Sequence, residues 1–178
     1  MRPFLLIIDG SIGVGKTTAA KVIHQRFPRT VFLGLDHTKW FISHFKRDRR
    51  NNKIVNEVIL VMAREFLLHN INVIVEQAFT NELVEQYQRL GRQCRARVVT
   101  IQLTAERSIL LSRITVRSKI SDPLKRPSLT KSFILRNVRA HAVKPSIGAQ
   151  VVNTTHLSPL QVVEKIVGCM KKRSRTDH

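Results

Sequence analysis

Five short apolar runs punctuate the chain, at residues 4–9 (FLLIID), 30–36 (TVFLGLD), 72–77 (NVIVEQ), 96–103 (ARVVTIQL) and 149–154 (AQVVNT). Their apolar positions are mostly continuous rather than alternating, the pattern of strands covered on both faces. Between them the spacing changes to that of amphipathic helices, placed near 16–27, 54–69, 81–91, 105–117, 131–142 and 158–172. The last of these opens on LSPLQVV, with Ser158 as N-cap and Pro159 at the first helical position. Strands alternating with helices predict an α/β fold in which a five-stranded parallel sheet is doubly wound by helices. Residues 114–130 (ITVRSKISDPLKRPSLT) break the pattern, being basic and carrying two prolines, and read as a lid over the site.

The first strand runs directly into Gly10-Ser11-Ile12-Gly13-Val14-Gly15-Lys16-Thr17-Thr18, which satisfies G-x-x-x-x-G-K-[ST] between a strand and a helix. Glycines at 10, 13 and 15 open backbone torsions closed to other residues. Successive N–H groups can then turn inward around phosphate oxygens at the positive end of the following helix. Lys16 is placed to reach the β- and γ-phosphates of ATP, and the Thr17 hydroxyl to take a place on Mg²⁺. A GTPase would show Asn-Lys-x-Asp, whereas Asn52-Lys53-Ile54-Val55 lacks the aspartate and no strand is followed by Asp-x-x-Gly. An AAA+ motor would need more chain and a strand ending in adjacent acidic residues, but the third strand ends with Glu76 alone. A small kinase is the remaining expectation.

Composition narrows the setting. With 178 residues, 43% of them hydrophobic, one buried domain over 1–178 is expected, with a loose basic tail from about 171 to 178. The 31 Lys and Arg against 12 Asp and Glu leave a net charge of +19, so a polyanion is a natural companion of this surface, whether as substrate or as incidental RNA or DNA contact. Cys94 and Cys169 lie in unrelated contexts without pairing or metal spacing, which suits a reducing compartment. The run at 4–8 is far too short for a membrane span of about 20 residues, so no membrane partner and a cytoplasmic location are expected.

The sequence resembles the nucleotide-kinase-like branch of the P-loop proteins, and most of all the group of polynucleotide kinase domains, chloramphenicol phosphotransferase and zeta-toxin kinases. The resemblance rests on GSIGVGKTT, LGLDHTKW, NVIVEQAF, RITVR and VVNTTHLSPLQVVEKIV, and covers nearly the whole chain. It implies transfer of the γ-phosphoryl of ATP, with Mg²⁺, to an acceptor. Asp36, after the second strand, would orient an acceptor hydroxyl and take its proton, although an aspartate there also suits a cap for a helix starting at His37. Glu76 would hold a metal-bound water or a substrate hydroxyl, or simply end its strand. Trp40, four residues past Asp36, would stack on the acceptor or join the core. Arg113 and Arg117, spaced i,i+4 on the helix entering the lid, suit a charge clamp on the transition state, with Arg126 and Arg136 as secondary candidates. Asn153, Thr154 and Thr155 would border the adenine, or form an ordinary polar loop. The basic, aromatic-interleaved segment 41–53 suits a charged or polynucleotide acceptor. The arginine-bearing acceptor motif of nucleoside monophosphate kinases is absent, so a hydroxyl acceptor on a nucleoside, nucleotide, polynucleotide 5′ end or small molecule is favoured. A phosphate acceptor, or a nucleotide-dependent nucleic-acid-binding protein, are the rival readings.

Overall fold

A computed structural model describes residues 2–118, 130–142 and 146–172. Five parallel strands, β1 (Phe4–Gly10), β2 (Thr30–Gly34), β3 (Asn72–Glu76), β4 (Arg97–Thr104) and β5 (Gln150–Asn153), form one sheet in the order β2-β3-β1-β4-β5. The helices are α1 (Lys16–Arg26), α2 (Leu35–Thr38), α3 (Arg49–Leu68), α4 (Asn81–Gln93), α5 (Arg107–Ser118), α6 (Lys131–Ala142) and α7 (Pro159–Lys172). The expected doubly wound α/β architecture is therefore present.

Central β1 shows why the sheet must be covered on both faces. Phe4, Leu6 and Ile8 enter one apolar cluster with Ile23 of α1, Val138 of α6 and Ile166 of α7. Leu5 and Ile7 enter the other, with Val55 and Ile59 of α3 and Val84 and Tyr87 of α4. Leu5, Leu6, Ile7 and Ile8 are wholly buried, and each such side chain stabilises the fold by about 1.5–3 kcal/mol.

The order places the site. From β1 the chain crosses beyond β3 to β2, and from β3 it returns across β1 to β4, so the connections diverge beside β1. Ligands gather at the carboxyl ends of strands at such a switch. Pairing brings Ile8 and Gly34 level with Glu76, so the loops after β1, β2 and β3 open on one end of the sheet.

Several boundaries differ from the expected ones. β2 stops at Gly34, two residues early, because Leu35 turns into α2 and the Thr38 hydroxyl donates to the Gly34 carbonyl at 3.1 Å. α3 begins at Arg49 rather than 54, since Asp48 caps it by accepting from the Asn51 amide at 2.7 Å. Part of the basic 41–53 segment is thus helical. α7 starts as expected: the Ser158 hydroxyl accepts from the Gln161 amide, and the Gln161 side chain accepts from the Ser158 amide at 2.8 Å. α5 continues to Ser118, so the expected lid begins inside a helix, while 119–129 and 173–178 lie outside the described residues.

Candidate active site

The loop between β1 and α1 is shaped by torsions that only glycine adopts freely. Gly10 has φ +142°, and a Cβ there would sit 2.4 Å from the Leu103 carbonyl oxygen. Gly15, at φ +101°, is the left-handed cap from which α1 starts, with no side-chain cap on its first turn. The amides of that turn therefore face the loop rather than a capping side chain. Lys16 folds back across the loop, donating through Nζ to the carbonyls of Gly10 (2.9 Å) and Ser11 (3.0 Å). Ser11 and Val14 are buried, Ile12 is half-buried, and Thr18 is exposed. Thr17, Thr18, Lys21 and Val22 line a cleft of about 450 Å³ at the start of α1.

Glu76 closes the loop from β3. It is buried, and its Oε1 accepts from the Thr17 hydroxyl at 2.9 Å. Burial pushes its carboxyl above the usual glutamate range, against the pull of Lys16 and of the Thr17 hydrogen bond. The Glu76 carboxylate and the Thr17 hydroxyl together offer oxygen ligands of the kind that suits a hard, oxygen-seeking divalent cation. The sequence left Glu76 open between ligand and strand terminus, and the structure places it against Thr17.

Asp36 sits in the first turn of α2, exposed, and forms an ion pair with Lys39. Desolvation works to raise its carboxyl, but the Lys39 charge and hydrogen bond, then Arg47 and Lys16, outweigh it and hold Asp36 below the ordinary aspartate range. The N-cap of α2 is Gly34, so Asp36 is not the cap that the alternative required. Lys39 itself is buried, which a lysine tolerates only with a partner. Sequence reading missed Lys39; its i,i+3 spacing from Asp36 was the available signal.

Trp40 lies in a 3₁₀ turn over Lys39–Phe41, so α2 does not carry Asp36 and Trp40 on one continuous face as expected. Its ring packs edge-to-face on Phe45 at 6.1 Å against the α3–α4 cluster, and its indole N–H is buried without a partner among the described residues. Lys39 Nζ and Arg47 Cζ lie 5.7 and 5.8 Å from the ring centre.

On the other side, Arg113 donates to Thr154 twice, at 3.1 Å to its hydroxyl and 2.8 Å to its carbonyl. Thr154 is buried and donates to the Val14 carbonyl at 3.2 Å, so the β5–α7 loop is tied to the phosphate loop. The Asn153 side chain accepts from the Thr155 amide, and the Thr155 hydroxyl from the Glu106 amide ahead of α5. Arg136 is exposed, 5.8 Å from the Phe133 ring centre. The Arg117 side chain and all of Arg126 lie outside the described residues.

Two further residues were not anticipated. Asp9, buried at the end of β1, accepts from the Phe79 amide at 2.9 Å and from the Ser146 hydroxyl, gathering the loops after β3 and α6 beneath the phosphate loop. A carboxylate ending an otherwise apolar strand was its sequence signal. Asn137 of α6 accepts from the Ile12 amide at 2.8 Å, and nothing in the sequence around it marks that role.

A family model described as an AAA domain matches residues 5–140. No curated protein matches the sequence. Among solved structures, a Chloroflexus aurantiacus protein provisionally described as a kinase superposes with a TM-score of 0.73 at 20% identity, covering 96% of this chain and 97% of its own. Kti12 of Chaetomium thermophilum, solved with ADP-AlF3, gives 0.67 at 13% identity over 93% and 98%. A gluconokinase from Sinorhizobium meliloti gives 0.63 at 14% identity over 99% of both chains. Among the described residues no helix is long and apolar enough to cross a membrane.

Proposed function

The chain belongs to the AAA domain family and has the P-loop kinase-like fold, and on that basis we propose that it is a kinase, carrying the γ-phosphoryl of ATP to an acceptor hydroxyl with Mg²⁺. The observation that carries the reading is the division of labour between two carboxylates, both within electrostatic reach of Lys16. Glu76 is buried against Thr17 on the donor side, and Asp36 is exposed on the acceptor side. Thr17 and Glu76 are the residues that would hold Mg²⁺, which when bound neutralises charge across the β- and γ-phosphates. Lys16, released from the loop carbonyls, meets the phosphates. Arg113, held to Thr154, flanks this donor side, with Asn153, Thr154 and Thr155 toward the base.

Asp36 is held ionised by Lys39 and its neighbours, so it is a ready acceptor for a substrate O–H but a weak base. In a loose phosphoryl-transfer transition state the proton leaves late, and orientation of the hydroxyl is what such a carboxylate supplies. Lys39 and Arg47 outnumber Asp36 around this position, which favours an acceptor that carries negative charge beside its hydroxyl. The RNA repair complex whose subunit shares the fold at 18% identity, with this chain spanning 44% of that one, keeps a 5′-hydroxyl polynucleotide in view.

Release of ADP from ATP and Mg²⁺ tests the reading, with separate arms for nucleosides, nucleoside monophosphates, 5′-hydroxyl oligonucleotides and uncharged hydroxylated compounds. Phosphate appearing on the hydroxyl of an anionic acceptor is the expected outcome. Formation of nucleoside diphosphates alone, or no transfer to any acceptor class, contradicts it.

A further inference from the structure

The apex of the phosphate loop, residues 12–14, is gripped from behind by elements distant in sequence. Leu110 and Ile114 of α5 crowd Gly13 so closely that a Cβ there would lie 2.9 Å from the Ile114 side chain and 3.1 Å from the Leu110 carbonyl oxygen. Thr154 takes the Val14 carbonyl. The Ile12 amide is taken by Asn137, 125 residues further along the chain. Val138, next to Asn137, is buried in the cluster with Leu6, Ile8 and Ala20, so α6 is seated on the sheet and its asparagine is not a swinging surface group.

We propose that Asn137 is a positioning residue for nucleotide binding: by fixing the Ile12 amide it sets the twist of the loop, and so the direction of the amides from Gly13 onward that receive phosphate. The hydrogen bond sits one residue before those amides. A peptide plane that turns at Ile12 carries its neighbour with it, because each residue has only two soft torsions. Coupling of this kind is reciprocal, so a nucleotide that tightens the loop also tightens the helix that holds it. The inference rests on nucleotide binding alone and not on the acceptor or on the transfer step.

The test uses the full chain with Mg²⁺ and ADP. Asn137→Leu keeps the bulk without the acceptor oxygen, Asn137→Ser shortens the side chain out of reach, and Asn137→Asp keeps an oxygen in place. The Leu and Ser variants should each weaken ADP binding by about three- to tenfold, the usual worth of one hydrogen bond. They should also speed hydrogen exchange at the Ile12 amide while exchange within β1 and β4 stays as in the parent. Asn137→Asp should retain Ile12 protection. In the parent protein, ADP should slow exchange within α6. Parent-like ADP affinity in whichever of the Leu and Ser variants folds would overturn the proposal, as would exchange that quickens uniformly through the sheet. Failure of both to fold would also overturn it, since Asn137 would then be a general structural residue. If ADP did not bind the parent at all, this proposal would fall together with the kinase reading, whereas ADP binding without transfer to any acceptor would overturn the kinase reading alone.

Discussion

The two ends of the proposed reaction are built from different materials. On the donor side the phosphate loop is made of backbone: glycine torsions, helix-end amides and carbonyls, locked by buried or half-buried partners such as Glu76, Thr154 and Asn137. On the acceptor side, α2 is a single turn, and its chemistry hangs on side chains, with Asp36 exposed and held by Lys39. The difference teaches how one fold can keep its donor and change its acceptor. Backbone geometry tolerates no substitution at Gly10, whereas exposed side chains on a short helix can be exchanged without disturbing the sheet.

Removing the donor-side charge should produce the largest effect. Lys16→Ala is expected to lower turnover by about 10²- to 10³-fold, the loss seen when one fixed donor to a developing anion is deleted. Unchanged turnover in a steady-state ADP-release assay would break the assignment of the loop.

Glu76→Gln sharpens the contrast, because it separates binding from stability. Burial raises the Glu76 carboxyl, so the folded state holds its proton more tightly than the unfolded chain. The stabilising effect of that proton is complete below the unfolded value of 4.5 and is lost as pH rises through the higher folded value. Without nucleotide, Glu76→Gln should therefore melt above the parent at pH 7, with the gap closing as pH falls through the raised folded value and gone below 4.5. With ATP and Mg²⁺ it should turn over roughly tenfold or more slowly. Calorimetric scans across pH check the first part, and a variant that melts lower at pH 7 would show that Glu76 is stabilising as an ion.

Arg113→Ala carries the smallest expected effect. Two charge-assisted hydrogen bonds to Thr154 are lost, and hydrogen bonds to charged groups contribute about 1.5–3 kcal/mol. Taken together at about 1.5–3 kcal/mol on this half-buried side chain, they correspond for a domain of this size to a drop in Tm of roughly 3–12 °C. If Tm holds while kcat falls, Arg113 acts on the transferred group, as its place at the lid entrance suggested, and the Thr154 contact is incidental.

The legibility of the molecule in its sequence follows the same division. The strands were readable because β1 and β3 are buried on both faces and carry continuous apolar runs, while β4 keeps Val98, Val99, Ile101 and Leu103 around buried Thr100 and Gln102, and the phosphate loop was readable because glycine alone adopts freely torsions such as those at 10 and 15. The end of β2 was misplaced because Leu35 is apolar in the helix as it would be in a strand, and apolar character alone does not distinguish the two. The partners of the site were hidden for another reason. Lys39 looks like one more surface cation in a chain of 31 until burial singles it out. Asn137 meets Ile12 only through the folding of α6 onto the sheet, a contact with no local pattern.

The central claim is that phosphoryl transfer goes to a hydroxyl oriented by Asp36, and Asp36→Asn tests it most directly. Asn preserves the shape of the side chain but removes the charge that faces Lys39 and the oxygen pair that receives a substrate O–H. Proton-transfer help is typically worth about 10² to 10⁴, and a carboxylate held this acidic belongs at or below the low end of that range. The measurement is kcat beside the ADP dissociation constant in parent and variant, with the acceptor found by the screen. The account predicts a fall in kcat of roughly 10- to 100-fold with ADP affinity nearly unchanged, accompanied by a lower Tm because buried Lys39 loses its charged partner. A variant that keeps parent kcat would contradict the claim and turn the reading toward a phosphate acceptor, which needs no such carboxylate.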